Sequence, residues 1–286
     1  MELDQDGPSG RPALLAGLAQ TTGSALGPLL AGVPAQWAPA PLHLVFVVGM
    51  VVTLVAAGFT LVLPEAGQVG QEPWRIQRPR VPEDIRADFA RVSLTAATVW
   101  AAVALYLSVV PKHAETLLDS DNLALLAAVS AVALAASSVA QVLAQRRPLP
   151  PTQSQAVGLA LLAAGLVALV IAAPTGSLGA LLAGAVVTGV GHGLAFLAAQ
   201  SDLNAIAPSH RRGEVTAAFI CCIYLMVGGA VTTAGLPALV MSLTTAVQIV
   251  AGGLAITAAG AAAWQLMVIR AGRIPVSRRA WPGSGR

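Results

Sequence analysis

One histidine sits deep inside an apolar run. His192 lies within 178–200, among Gly184, Gly189, Gly191 and Gly193. An imidazole in such a setting needs a polar partner even when neutral, and near neutral pH it can take up and release a proton. Two chemistries follow: hydrogen bonding to a small molecule, or proton exchange. The plainer alternative is a neutral ring donating to a backbone carbonyl at a tight, glycine-lined helix crossing, because most buried polar groups are simply satisfied. Thr188, His192, Ala195 and Ala199 share one helical face, and so do Thr95, Thr98, Ala102 and Tyr106 on another run, with Trp100 on the opposite side. A polar stripe on a helix in lipid turns toward protein or water. Against this, Thr95 and Thr98 can bond their own helix carbonyls, and Tyr106 can belong to an interfacial aromatic belt.

Other chemistries lack their residues. Cys221 and Cys222 are adjacent and mid-helix, where a bridge is strained, and no Cys/His pair has metal-ligand spacing. They read as small apolar packing residues. No convergent set of nucleophiles, carboxylates or ligands lies in the apolar runs, so catalytic residues, metals and cofactors are not expected and an enzyme is disfavoured. No Asp, Glu, Lys or Arg is expected at mid-depth. Asp202 and Glu214 flank the Arg211–Arg212 turn, where ion pairing between loop and helix ends is the natural expectation. Without a buried counter-charge, any small-molecule partner is expected to be neutral, amphipathic or lipophilic.

The elements that carry these residues are legible from charge. The chain has 286 residues, 56% hydrophobic and 10% charged, against roughly a quarter charged in a soluble domain. Eight runs are long enough to span a bilayer, at 13–36, 42–63, 91–110, 122–144, 154–173, 178–200, 214–236 and 243–268. If the chain starts in the cytoplasm, fifteen of the sixteen basic residues fall on that side and only Lys112 on the other. Short loops rich in Lys and Arg stay in the cytoplasm, so both termini are expected inside. No run alternates as a membrane barrel strand does. The fold class is an all-α membrane protein with eight transmembrane helices. The pI near 9.4 reflects these loops rather than a nucleic-acid face. The start, with three acids and two prolines before any apolar run, is no signal peptide. Arg in place of Lys, with abundant Ala, Gly and Leu, points to a GC-rich bacterial source and so to a bacterial inner membrane.

One loop stands apart. Residues 64–90 are dense in charge and proline, and they divide the chain into two spans before and six after. This resembles the central loop and second half of a twelve-helix transporter. Gly23, Gly27, Pro28, Ala31 and Gly32 follow the spacing of the fifth-helix signature of the major facilitator superfamily, with Ala31 in place of a glycine. Glycines four apart admit a neighbouring helix, and Pro28 breaks the hydrogen-bond ladder. The second span exits through Val62–Glu65 much as that family's sixth helix does. The turn Pro208 to Val215, with Arg211, Arg212 and Gly213, is similar to the loop between helices ten and eleven, and Gly189, Gly191 and Gly193 fit helix ten. After the eighth helix only Arg146 and Arg147 remain of the expected signature.

The resemblance covers helices five to twelve. It implies a polar start (1–12), two helices of a first bundle (13–63), the central loop (64–90), a complete six-helix bundle (91–269) and a basic tail (270–286). It further implies that helices seven and ten line a cavity, with Thr95, Thr98, Trp100, Tyr106, Thr188 and His192 as lining residues. Gly23, Gly27, Pro28, Gly32, Arg211, Arg212 and Gly213 would serve packing and gating. The implied function, for the full-length form, is secondary transport of a neutral or lipophilic small molecule across the bilayer, driven by a proton or ion gradient, with efflux as the expected direction. Helices one to four are expected to be missing through truncation. A partner chain or self-association would then cover the exposed surface, and the rival reading is a scaffold or subunit completed by such a partner.

Overall fold

The computed structural model describes residues 11–62, 80–235 and 241–272. Its regular structure there is entirely helical. The eight long helices are α1 (Arg11–Trp37), α2 (Pro41–Val62), α3 (Arg86–Leu118), α4 (Leu123–Ala144), α5 (Pro151–Ala172), α6 (Leu178–Ile206), α7 (Arg212–Gly235) and α8 (Leu243–Arg270). Seven are long and apolar enough to cross a membrane; α1 is the exception. Its shortfall reflects Thr, Gln, Gly and Pro spread along it rather than any lack of length. Residues 1–10, 63–79, 236–240 and 273–286, and with them the Leu63–Glu65 part of the second-span exit, most of the central loop and most of the basic tail, lie outside the described residues.

Two helices extend furthest past their expected limits, α3 at both ends and α6 as far as Ile206. α3 runs from Arg86 through Pro111 to Leu118, where 33 residues give about 50 Å of helix against a hydrocarbon core of about 30 Å. Its ends therefore stand clear of lipid, where charged residues are tolerated. It stops at Asp119, whose backbone is left-handed (φ 46°), and the Asp119 N–H returns to the Glu115 carbonyl. Side-chain caps start the later helices: Asn122 accepts from Leu125 N–H at 3.0 Å and Ser242 from Thr245 N–H at 3.1 Å.

The helices alternate in direction, so Arg91, Arg146, Arg211 and Arg270 share one end of the bundle, called here the arginine end, and Lys112 marks the other. At the centre, α6 is held between α4 and α5 by small residues. A Cβ added at Gly191 would stand 2.5 Å from the Gly158 carbonyl of α5, and one at Gly158 would stand 2.7 Å from the Gly191 carbonyl. On the other side, Gly189 and Gly193 lie against the Ala133 and Ser137 carbonyls of α4. Between helices in lipid, close packing of this kind stands in for the hydrophobic drive that operates in water. α8 packs on α5, α7 on α3, α1 on α4, and α2 leans on α1.

Candidate functional site

A cavity of about 680 Å³ opens between α1, α3, α6 and α7. Trp100, Ala104 and Leu107 of α3 form one wall; Phe196, Gln200 and Asn204 of α6 form the next. α7 contributes Arg212, Thr216, Phe219, Ile223, Tyr224 and Val227, and α1 closes the side with Gln20 and Ser24. The size suits a drug-sized ligand, and such sites combine apolar walls with a few polar groups.

Helix register gives the cavity a direction. Asn204 lies in the last turn of α6, and Arg212 and Thr216 lie in the first two turns of α7, so these polar groups sit toward the arginine end. Trp100, Leu107, Ile223 and Val227 lie several turns deeper. Arg211 and Arg212 part company at this point. Arg211 folds onto Glu214, with Nη2 donating to Oε2 at 2.6 Å, whereas Arg212 lines the cavity.

Of the six residues expected to line a cavity, Trp100 does so and the other five do not line this one. Tyr106 is buried; its hydroxyl donates to the Gly165 carbonyl of α5 and accepts from Thr188 Oγ1, both at 3.2 Å. That is a cross-helix tie rather than an interfacial belt position. Thr95 Oγ1 donates to the Arg91 carbonyl at 3.1 Å, the local bond weighed from sequence, while Thr98 Oγ1 is buried and finds no partner among the described residues. His192 stands one layer behind the wall. Its ring lies edge-on to Trp100 at 4.9 Å between centroids, and Nδ1 meets Ser137 Oγ at 2.8 Å. The partner is thus a hydroxyl of α4 and not a backbone carbonyl, although the glycine-lined crossing is there. From Ser137 the polar contacts continue to Gln141 Nε2 at 3.4 Å and on to Thr21 Oγ1 of α1 at 3.2 Å.

The expected packing motif divides. Gly32 lies against Leu123 and Ala127 of α4, while Cβ atoms at Gly23, Gly27 and Gly213 would meet nothing within 4 Å. Pro28 borders a second crevice of about 570 Å³ between α1, α2, α3 and α4.

The expectation that Asp202 pairs with the Arg211–Arg212 turn is corrected. Asp202 is buried and accepts from Arg91 Nη2 at 3.3 Å and from Gln155 Nε2 at 2.6 Å. Arg91, first read as an edge residue, is only 2% exposed and also donates to Gln265 Oε1 at 2.6 Å. Gln265 Nε2 donates in turn to Gln155 Oε1 at 2.7 Å and Thr95 Oγ1 at 3.1 Å. Four helices, α3, α5, α6 and α8, are clasped at the arginine end by this network. Its amides were the missed signal: Gln155 and Gln265 interrupt apolar runs one turn or more inside the helix ends.

Among the described residues, a helical bundle with seven helices long and apolar enough to cross a membrane marks a multi-pass membrane protein. The chain belongs to the Major Facilitator Superfamily, whose sequence model matches residues 10–233. No curated protein matches it.

Proposed function

We propose that the chain is a secondary carrier that exports lipophilic small molecules from a bacterial cytoplasm across the inner membrane, coupled to protons, with the Trp100–Phe196 cavity as its binding site. The cavity carries this reading: its deep part is walled by aromatic and aliphatic side chains, and it runs toward the arginine end. The positive-inside rule supports placing that end in the cytoplasm. His192, buried in the bundle, is the group through which a proton would couple. The full chain, reconstituted in vesicles with an imposed pH gradient, is expected to move lipophilic dyes, and Trp100→Ala to slow that movement about tenfold, as loss of a central aromatic contact does. Movement indifferent to the gradient and to Trp100→Ala would discard the reading. For sidedness, single cysteines near Arg146 and Lys112, placed after Cys221 and Cys222 are replaced, are probed with an impermeant thiol reagent on intact cells. Only the site near Lys112 is expected to react.

A second reading, a bundle completed by another chain or a second copy, draws on α2, whose apolar span has no buried residue among those described. Gradient-driven movement by the monomeric chain would remove it.

A further inference from the structure

We infer that the ligand of this cavity is an amphipathic organic anion, its apolar body against Trp100, Ile223 and Val227 and its acidic head at Arg212. The inference rests on the reading of the cavity as the binding site and departs from the expectation of a neutral, amphipathic or lipophilic ligand by giving the amphipathic molecule a charge. Among the described lining residues Arg212 is the one charged group, and no carboxylate shares the cavity with it. Its neighbour Arg211 is held by Glu214 at 2.6 Å, whereas Arg212 forms no ion pair among the described residues. Asn204 and Thr216, polar lining residues at the same end of the cavity, carry an amide and a hydroxyl that can complete the hydrogen bonding of a carboxylate or sulfonate. A guanidinium offers such a head a forked pair of donors, the geometry in which Arg recognises planar oxyanions. A lipophilic cation would meet like charge at the polar end of the cavity, and a fully apolar molecule would leave those donors unused.

The test uses the full chain in phosphatidylcholine nanodiscs and three probes of one shape: 2-naphthoate, 2-naphthamide and 2-naphthylmethylammonium. Binding of tritiated 2-naphthoate is measured directly and the other two as competitors. Naphthoate is expected to bind tightest, Arg212→Gln to weaken it by at least about tenfold with little effect on the amide, and Arg212→Lys to restore part of the loss. Equal affinity of acid and amide, or an Arg212→Gln effect common to all three probes, overturns the inference. If the amide still binds and loses affinity in Trp100→Ala, the cavity reading survives that failure. If no probe responds to Trp100→Ala, the cavity reading falls as well.

Discussion

Two polar clusters sit in the same bundle and are built on opposite terms. At the arginine end, Arg91, Asp202, Gln155, Gln265 and Thr95 exchange hydrogen bonds across four helices until only Arg91 Nε is left over. Beside the cavity, Trp100 Nε1, His192 Nε2 and Gln200 Oε1 are buried with no partner among the described residues. Each such atom costs about 1–3 kcal/mol when water is excluded from it. The first cluster closes on itself and therefore holds helices together. The second leaves donors and acceptors open beside the space where a ligand would lie. Of these two clusters, the saturated one ties helices and the unsaturated one borders the cavity.

The clasp offers the most direct way to break that contrast. Arg91→Met leaves Asp202 buried without its cation and is expected to cost about 3–5 kcal/mol, seen as a large fall in the unfolding temperature of the purified protein in detergent. Adding Asp202→Leu should recover most of the loss, since an apolar pair removes the stranded charge. A near-neutral Arg91→Met would show that the clasp holds nothing. Gln265→Leu comes next. It strands donors and acceptors on Arg91, Gln155 and Thr95 together, and about 1–3 kcal/mol is expected in the same assay.

Changes beside the cavity should invert this pattern, touching function more than stability. Trp100→Phe keeps an aromatic ring against His192 and Phe196 but deletes an N–H that bonds to nothing, so stability should fall by less than about 1 kcal/mol. Naphthoate affinity is expected to drop severalfold in the same variant. His192→Gln should have the smallest structural effect, about 0.5–1 kcal/mol, because an amide can still meet Ser137. Its transport rate or pH profile should change while membrane abundance holds. Parallel loss of abundance and transport would move His192 into the structural class.

Helix number, order and alternation were legible because lipid demands long apolar runs and the arginines punctuate them. The faces were not. Reading polar stripes toward a cavity selects Thr95–Tyr106 and Thr188–Ala199, and both stripes are buried in helix contacts. Small and hydroxylated residues do that work in membranes because they allow backbones to approach. The cavity is lined instead by the neighbouring stripes, Trp100–Ala104–Leu107 and Phe196–Gln200–Asn204. The second of these follows His192 at intervals of four, a spacing the sequence did display. Gln20 and Ser24 escaped notice because α1 was read for its glycines alone. Arg91 was counted with the loops, since its burial depends on Asp202, Gln155 and Gln265 arriving from three other helices.

The alternating glycines of α6 also bear on how the molecule can change shape. Residues two apart on a helix point in nearly opposite directions, so Gly189 and Gly193 lie on α4 while Gly191 lies on α5. α6 is thus wedged at backbone distance from both sides, and turning it about its axis would drive backbone into backbone. α4, α5 and α6 form a single mechanical block. In α7, by contrast, Cβ atoms at Gly228, Gly229 and Gly235 would meet nothing within 4 Å. α7 thus carries one wall of the cavity on a helix whose glycines make none of the close backbone approaches that lock α6 between its neighbours.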